Sequence, residues 1–542
     1  MIVDSRTIPS GTVIRADLCI MGGGAAGIAI AREFVNHPWR VLLLESGGTR
    51  LRHENQSLNR GNVTGHRYPS LEACRRRVLG GSTTIWGGWC RPLDEIDFEE
   101  RDWLPNSGWP FNRNHLKGQY ARACAVCKAG AHAVDRESAG LQHSGQLLNP
   151  AQNNFEDILF HVAGTRFGET YWGELERARN LDLMLHASGI EILMDRNCQE
   201  AHSLRVATLA GNRFTVSART FVLAAGGIEN PRILLASRQM RPSGVGNEND
   251  VVGRFFADHL HLKLRSVVLN GRPVPDFYLT RKIGGAVFRG GMSLTEEARR
   301  RDKMLGFAVT IHNADDPHDV VYPPFSNAGY GSLHVLAKSL MRRELPDRFG
   351  YHLKTVIRHL DNAAALSFRK LIKPRWRALL IGCRAEQSPN PDSRIVLEHE
   401  KDVFGMNKVR LDWRLTKQDE ESLSRAQQIL DNDWNFPGRE PHKAGAADEH
   451  TVDITAAAHH MGTTRMHRDP KRGVVDEQCR VHGTRNLYIA GSSVFPTTGW
   501  APPTLTVVAL ALRLADHLKQ SQSSIQSDMP ESDMLLSSHT SR

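Results

Sequence analysis

The stretch Asp17-Leu-Cys-Ile-Met-Gly22-Gly-Gly24-Ala-Ala-Gly27, with Val41-Leu-Leu-Leu-Glu45 after it, constrains the fold more than any other. Leu18–Met21 and Val41–Leu44 are short apolar runs, the pattern of parallel strands buried on both faces. Gly22 permits a sharp turn, Gly24 leaves the backbone open to a pyrophosphate, and Gly27 lets the following helix pack closely on the strand. The start of that helix offers free N–H groups and the positive end of its dipole to phosphates. Glu45 comes 18 residues after Gly27, where an acid can accept hydrogen bonds from an adenosine ribose. A strand–turn–helix–strand unit that binds a dinucleotide is therefore expected, with NAD and FAD both open at this point.

Length and composition narrow the class. The chain has 542 residues, 40% of them hydrophobic and 24% charged, which predicts a globular protein of two packed domains or one large one. No apolar run reaches the 18 or so residues of a membrane span. Met1–Thr7 does not read as a signal peptide, and eight cysteines at irregular spacing do not form a disulfide framework. Reduced thiols and a cytoplasmic setting are expected. Cys124-Ala-Val-Cys127 reads as two thiols on a helix rather than half a metal site, and no metal is expected. The net charge of +10 is mild for this length and does not specify nucleic acid.

Further glycine junctions follow. Residues 49–72 are polar and read as a surface excursion. In Gly80-Gly81-Ser82-Thr-Thr-Ile-Trp86-Gly87-Gly88, small residues suit a backbone passing close to a flat ligand. Residues 91–180 look mostly helical or irregular. Leu181–Leu193 reads as a strand pair turning near Ser188-Gly189. Phe214–Val216 and Thr220–Ala225 read as two strands, the second entering Gly226-Gly-Ile-Glu-Asn-Pro231-Arg, where Pro231 suits the first turn of a helix. Between 331 and 377 eleven Lys/Arg face three Asp/Glu with hydrophobics interleaved. That pattern fits a solvated amphipathic helix pair, or a basic face docking on a membrane or acidic partner. A helix is expected over Gln418–Asn432 and a loop over 438–449. The serine-rich tail after Leu518 is expected to be disordered.

Two clusters lie near the C-terminus: Ala458-His459-His460-Met-Gly462-Thr-Thr-Arg465-Met466, and Asn486-Leu-Tyr-Ile-Ala490-Gly491-Ser492 running on through Trp500-Ala501-Pro502-Pro503-Thr504. Leu487–Ala490 is another buried strand ending in glycine. Pro503 suits the start of the long apolar helix that runs to about Leu518. The N-terminus of that helix would favour negative charge on a reduced flavin.

These stretches, with Gly253–Asp258 and Glu386–Arg394, resemble in order and spacing the glucose–methanol–choline (GMC) oxidoreductases, more closely the bacterial sugar and polyol dehydrogenases and pyranose oxidases. The resemblance implies an α/β fold, α+β overall: a Rossmann-like FAD-binding domain with an antiparallel-sheet substrate domain. Residues 1–260 would form the first part of the FAD domain, with inserted excursions. Residues 261–440 would form mainly the substrate domain, with the basic insert at 331–377. Residues 441–518 would complete the FAD domain, leaving a tail at 519–542. Cofactor contacts are implied at Gly22, Gly24, Gly27, Glu45, Gly81, Ser82, Trp86, Gly87, Ile190, Ala225, Gly491, Ser492, Pro503 and Thr504.

The implied reaction oxidises an alcohol carbon of a sugar, polyol or hydroxylated metabolite by hydride transfer to flavin N5. His459 holds the place of the base, with His460 as a second catalytic candidate. The family's substrate-holding Asn or His falls here on Pro502, which has neither side-chain donor nor N–H. His460 or Trp500 would have to replace it, or the chemistry is altered. Thr83–Trp86 lacks the histidine that links flavin covalently in some relatives, so FAD is expected to be noncovalent. The electron acceptor, whether oxygen, a quinone or a redox protein, is left open. The alternatives are a tailoring flavoenzyme with altered chemistry and a noncatalytic flavin-binding subunit.

Overall fold

The computed structural model describes residues 1–130, 147–148, 152–271, 273–283, 285–313, 377–434 and 454–527, together with the helix Phe349–Arg358 and a few neighbouring positions. The apolar runs at the N-terminus form the centre of an eight-stranded sheet. Its order is Ile2–Asp4, Leu181–Leu185, Val41–Glu45, Val13–Met21, Arg213–Leu223, Ala201–Ala207, Ser188–Met194. Val13–Met21 pairs in parallel with Val41–Glu45 on one side and with Arg213–Leu223 on the other. Leu18, Ile20 and Val41–Leu44 are fully shielded from solvent, as continuous apolar strands between layers must be.

Arg213–Leu223 is one strand, not the two expected. Its first half pairs antiparallel with Ala201–Ala207, and its second half pairs in parallel with Leu487–Ile489. The C-terminal part of the chain thereby returns to the sheet beside Gly22. The expected strand pair after Leu181 is not a hairpin either. The chain turns at His186, whose φ is 61°. Leu181–Leu185 stays beside Val41–Glu45, while Ser188–Met194 crosses to the far edge to pair with Ala201–Ala207.

A second eight-stranded sheet is antiparallel throughout its pairings. Its order is Ile454–Ala456, Leu260–Val268, Ala378–Ala385, Phe307–Asn313, Ala286–Leu294, Phe155–Val162, Trp89–Cys90, with Arg281–Ile283 on Ala286–Leu294. Phe155–Val162 is a strand within a region that reads as helix and loop. Its polar Glu156-Asp157 start leaves an apolar run too short to stand out. Residues 49–72 fold inward rather than over the surface. Gly61–Gly65 pairs in parallel with Asn407–Trp413 in a three-stranded sheet, and Asn55, Gln56, Asn59 and Leu71 are buried.

The last helix, Thr504–Ser527, packs against Ala25–Glu33 and Lys117–Cys127. Leu505, Val508, Leu512 and Ala515 are all buried. Each buried leucine or valine contributes about 1.5–3 kcal/mol, which fixes this helix and its N-terminus against the first sheet. It continues past Leu518 to Ser527, so the first part of the expected tail is helical.

Pro231 lies inside the helix Gly226–Ala236 rather than in its first turn. Its ring removes the N–H that would bond Gly227 O, and Thr463 Oγ1 donates to that carbonyl at 2.6 Å instead. The helix Lys417–Asp433 forms as expected, with a Thr416–Asp419 capping box. Of the basic segment 331–377, Phe349–Arg358 is a helix; most of the rest, like the loop expected at 438–449, lies outside the described residues. No described helix is long and apolar enough to cross a membrane. The eight cysteines form no disulfide, and the described residues hold no metal-ligating cluster.

Candidate active site

A cavity of about 530 Å³ runs along the carboxyl edge of the first sheet, from Gly22 to His459. At one end are Gly22–Ala26, Glu45 and Ala187–Gly189, in the middle Gly81–Gly88 and Ala224–Glu229, and at the far end His459, Gly491 and Pro502–Thr504. Glycine is required at Gly22: its φ is +116°, and a Cβ there would sit 2.5 Å from Ala224 O. At Gly24 a Cβ would meet no protein atom within 4 Å. The protein does not demand glycine there, but a side chain would project into the cavity. Gly27 packs as expected, its Cα facing Gly22 O closely enough to exclude any side chain.

Helix N-termini open on both ends of the cavity. The N–H groups of Ala25 and Ala26 find no acceptor among the described residues, and neither do those of Thr504 and Leu505. Glu45 accepts the Gly23 N–H at 3.0 Å and the Gly47 N–H at 2.7 Å, which holds the carboxylate against the turn. Burial pushes its pKa up, and those two N–H groups and Arg77 oppose the rise. Arg75 and Arg77 converge on buried Glu229 at 2.7 and 2.9 Å, tying the 75–77 loop to the helix Gly226–Ala236.

The far end is organised by Asp258. Its Oδ1 accepts the backbone N–H of His259 at 2.7 Å and of His459 at 2.9 Å, and its Oδ2 accepts the Tyr68 hydroxyl at 2.5 Å. One buried carboxylate thus joins two segments 200 residues apart. Burial pushes Asp258 up to about 6 despite these donors. The Ala257–Met461 backbone bridge adds two hydrogen bonds. Gly462, with φ +84°, turns the chain where a Cβ would collide with Phe255 O.

This stitching places His459 on the cavity wall with its Nδ1 2.9 Å from Nδ1 of His259. His459 is half-buried and lines the cavity. Burial pushes its pKa well below the usual histidine value, and His259, Arg384 and His460 add to the shift. His460 lies between Tyr68 and Phe256, with ring centroids 6.1 and 6.0 Å away. Burial, with Arg75, takes it down to about 3.

The residues expected from sequence divide clearly. Gly22, Gly24, Glu45, Gly81, Ser82, Trp86, Gly87, Ala225, Gly491, Ser492, Pro502, Pro503, Thr504, His459 and His460 all line the cavity. Ile190 does not; the wall is made by Ala187–Gly189. Trp500 does not either. It is fully buried, its Nε1 donates to Asp94 Oδ2 at 2.7 Å, and it packs on Phe160. It has no free donor to replace the missing Asn. Sequence reasoning passed over His259, His261 and Arg384. The signal for the first two is the His-Leu-His alternation after Asp258, which puts both imidazoles on one face of a strand.

The cavity fits FAD on grounds internal to the structure. A long ligand with a diphosphate at Gly24 and the Ala25 helix, and an electron-rich ring at the Thr504 helix, satisfies both sets of unpaired N–H groups. Two family models, for the N-terminal and C-terminal parts of GMC oxidoreductases, match residues 122–261 and 389–511, the second taking in His459 and the start of the Thr504 helix. The chain is a GMC oxidoreductase.

This GMC oxidoreductase is 25% identical to 6'''-hydroxyparomomycin C oxidase of Streptomyces lividus, over 93% of the chain and 92% of that protein. It is also 25% identical to 2-methyl-1,2-propanediol dehydrogenase of Mycolicibacterium austroafricanum, over 94% and 96%. The solved structure of pyridoxine 4-oxidase from Mesorbium loti superimposes with a TM-score of 0.56 at 16% identity, covering 93% of this chain and 99% of that one; that likeness speaks to the fold. FAD is the cofactor of the family, and the chain is an oxidoreductase acting on CH–OH donors.

Proposed function

We propose that this GMC oxidoreductase oxidises a carbinol of a sugar, polyol or related hydroxylated metabolite, with His459 as the base. The observation that carries the reading is the state and orientation of that imidazole. Its Nδ1 is engaged by His259, while Nε2 makes no hydrogen bond to any of the described residues, and the residue lines the cavity. Two neutral rings sharing an Nδ1–Nδ1 hydrogen bond need one proton between them. With that proton on His459, its Nε2 keeps a lone pair for the substrate hydroxyl. That assignment requires a proton on His259 Nε2, an atom that makes no hydrogen bond among the described residues, with the Thr498 and Gly499 carbonyls acting on the ring against its burial.

FAD in this cavity supplies the two-electron acceptor for the hydride that leaves the carbinol carbon. The protein's part is to take the hydroxyl proton at His459 Nε2, beside a lining that includes Trp89 and His460. The N-terminus of the helix Thr504–Ser527 favours the negative charge that accumulates at its end. FAD is held without a covalent bond on this reading, since Thr83–Trp86 offers no nucleophilic histidine or cysteine. Acid precipitation should release the yellow colour, and colour retained in the pellet refutes that part.

Two arms test the reaction. Anaerobic mixing of holoenzyme with a panel of sugars and polyols should bleach the flavin. His459→Ala should retain FAD and lose the bleaching; reduction kinetics that match the wild type would remove His459 from the mechanism. The two enzymes aligned above over nearly the whole chain support a sugar-like or diol substrate by their names.

A further inference from the structure

Pro502 leaves the reacting end without its expected hydrogen-bond donor, and the cavity lining carries a strong one at Arg384. Arg384 sits on the strand Ala378–Ala385, opposite His261 in register, and both side chains line the cavity. Arg384 Nε donates to His261 Nε2 at 3.1 Å. Arg384 is about nine-tenths buried as a residue, and its Nη1, shut off from solvent, has no hydrogen-bond partner among the described residues. No carboxylate of the described residues lies within ion-pair distance of it. Asp258 acts on it only from farther away, and its oxygens are committed to Tyr68, His259 and His459.

The same molecule shows how it treats buried arginines elsewhere. Arg101 binds Glu386, Arg232 binds Asp402, and Arg299 binds Asp97. Arg465, without a carboxylate, donates to Asn106 O and lies over the Phe255 ring. Among the described residues only a histidine nitrogen, His261 Nε2, accepts from Arg384. An uncompensated buried cation is destabilising, and this one lines the same cavity as His459. Its fork geometry matches a carboxylate.

We propose that Arg384, positioned by His261, is a carboxylate-binding subsite, so that the substrate is an alcohol bearing a carboxylate near the carbinol presented to His459. The inference rests on the alcohol-oxidation reading above and narrows its substrate to hydroxy acids and sugar acids. The guanidinium anchors the carboxylate and thereby orients the carbinol, which a clamp at residue 502 would otherwise do. A cationic amino group at that position is disfavoured.

The test uses holoenzyme and two kinds of probe. Oxalate, a carboxylate with no carbinol, is titrated by calorimetry. It should bind the wild type, bind Arg384→Leu about 10- to 100-fold more weakly, as expected for loss of a hydrogen-bonded charge, and regain part of its affinity in Arg384→Lys. Equal affinity in wild type and Arg384→Leu would overturn the subsite. Inorganic phosphate binding more tightly than oxalate would overturn the assignment to a carboxylate. Flavin reduction is then compared for glycerate, glycerol and aminopropanediol. Glycerate should be preferred, and the preference should collapse in Arg384→Leu with unchanged flavin content; a loss equal for glycerate and glycerol would count against the proposal. If no probe reduces the flavin while oxalate binding still depends on Arg384, the alcohol-oxidation reading fails and the subsite stands.

Discussion

The Nδ1 atoms of His259 and His459 face each other at 2.9 Å, one imidazole on the strand-leading segment after Asp258 and the other on the turn before Gly462. If His459 is the base, as proposed, the contact makes His259 a positioning residue that sets its tautomer without itself lining the cavity. His259→Leu should lower kcat by about 10²-fold, within the range of general-base contributions, with FAD content and KM little changed. His259→Gln, which offers an amide oxygen to the His459 Nδ1–H, should restore part of the rate. Steady-state kinetics and a pH profile decide it. A kcat at the wild-type level in His259→Leu would show that the tautomer is set by something else.

The pH dependence follows from the burial of His459. A base works only when unprotonated, and burial, reinforced by His259, Arg384 and His460, moves His459 well below its ordinary value of 6.5. His459 therefore stays neutral as pH falls through that value, and the rate should persist on the acid side. The acid limb of kcat/KM for flavin reduction should lie below pH 6.5. Asp258, pushed up to about 6 by burial, takes up its proton in the folded chain before the unfolded one does, so its contribution to stability is present at low pH and is lost as pH rises through 6. Rapid-reaction reduction and thermal melting across the acid range separate the two. An acid limb at or above the ordinary histidine value would contradict the buried environment drawn here.

What the sequence displays of this site, and what it hides, has a physical pattern. The turn at Gly22–Gly27 and the end at Glu45 were legible because conformational demands leave glycines and a buried parallel strand leaves an apolar run. His459, Pro502 and the Thr504 helix were legible because each belongs to a local cluster. Arg384 and His261 were not, since each looks like one polar residue in an ordinary alternating strand and only the sheet register brings them together. Trp500 misled for the reverse reason. It is adjacent in sequence to the cavity-lining Pro502, yet its ring turns away to Asp94. Phe155–Val162 was hidden by its acidic start, and the inward fold of residues 49–72 by amides such as Gln56 that bond backbone carbonyls rather than water.

Pro502 lines the cavity, is buried, and precedes the N-terminus of the last helix. Replacing it with asparagine introduces a donor where the family usually has one, and removes the ring that fixes φ ahead of Pro503. If Arg384 already orients the substrate, Pro502→Asn should raise oxidation of neutral polyols, while changing oxidation of glycerate by less than about threefold, a difference below 1 kcal/mol. The measurement is kcat/KM for flavin reduction with glycerol and with glycerate. Equal loss on both would mean that the proline shapes the pocket and that a donor at this position has no place to act.

Glu386 and Arg101 form a fully buried pair in which Arg299 also takes part, and Arg299 in turn holds Asp97 at 2.7 Å. The Gly306 N–H donates to Glu386 Oε2 at 2.8 Å. The cluster links the 94–101 segment to the second sheet just behind Trp500. Burial alone would raise Glu386, but Arg101 and Arg299 outweigh it and hold the group at about 2. A carboxyl depressed in the native state stabilises the fold above its unfolded pKa, near 4.5, and this contribution is lost as pH falls toward 2. Asp97 has the opposite sign. Burial raises it to about 6, so its contribution is present below its unfolded value and lost as pH rises through 6. Glu386→Gln leaves Arg101 buried without its charge partner and should cost about 3–5 kcal/mol at neutral pH, the usual loss for breaking such a pair. The gap between mutant and wild type should narrow below pH 4.5, where Glu386 loses its charge in the unfolded chain and then in the folded one. Urea unfolding followed by tryptophan fluorescence at several pH values gives both numbers. A constant gap down to the acid limit would mean that the lost hydrogen-bond geometry, and not the lost charge, accounts for the destabilisation.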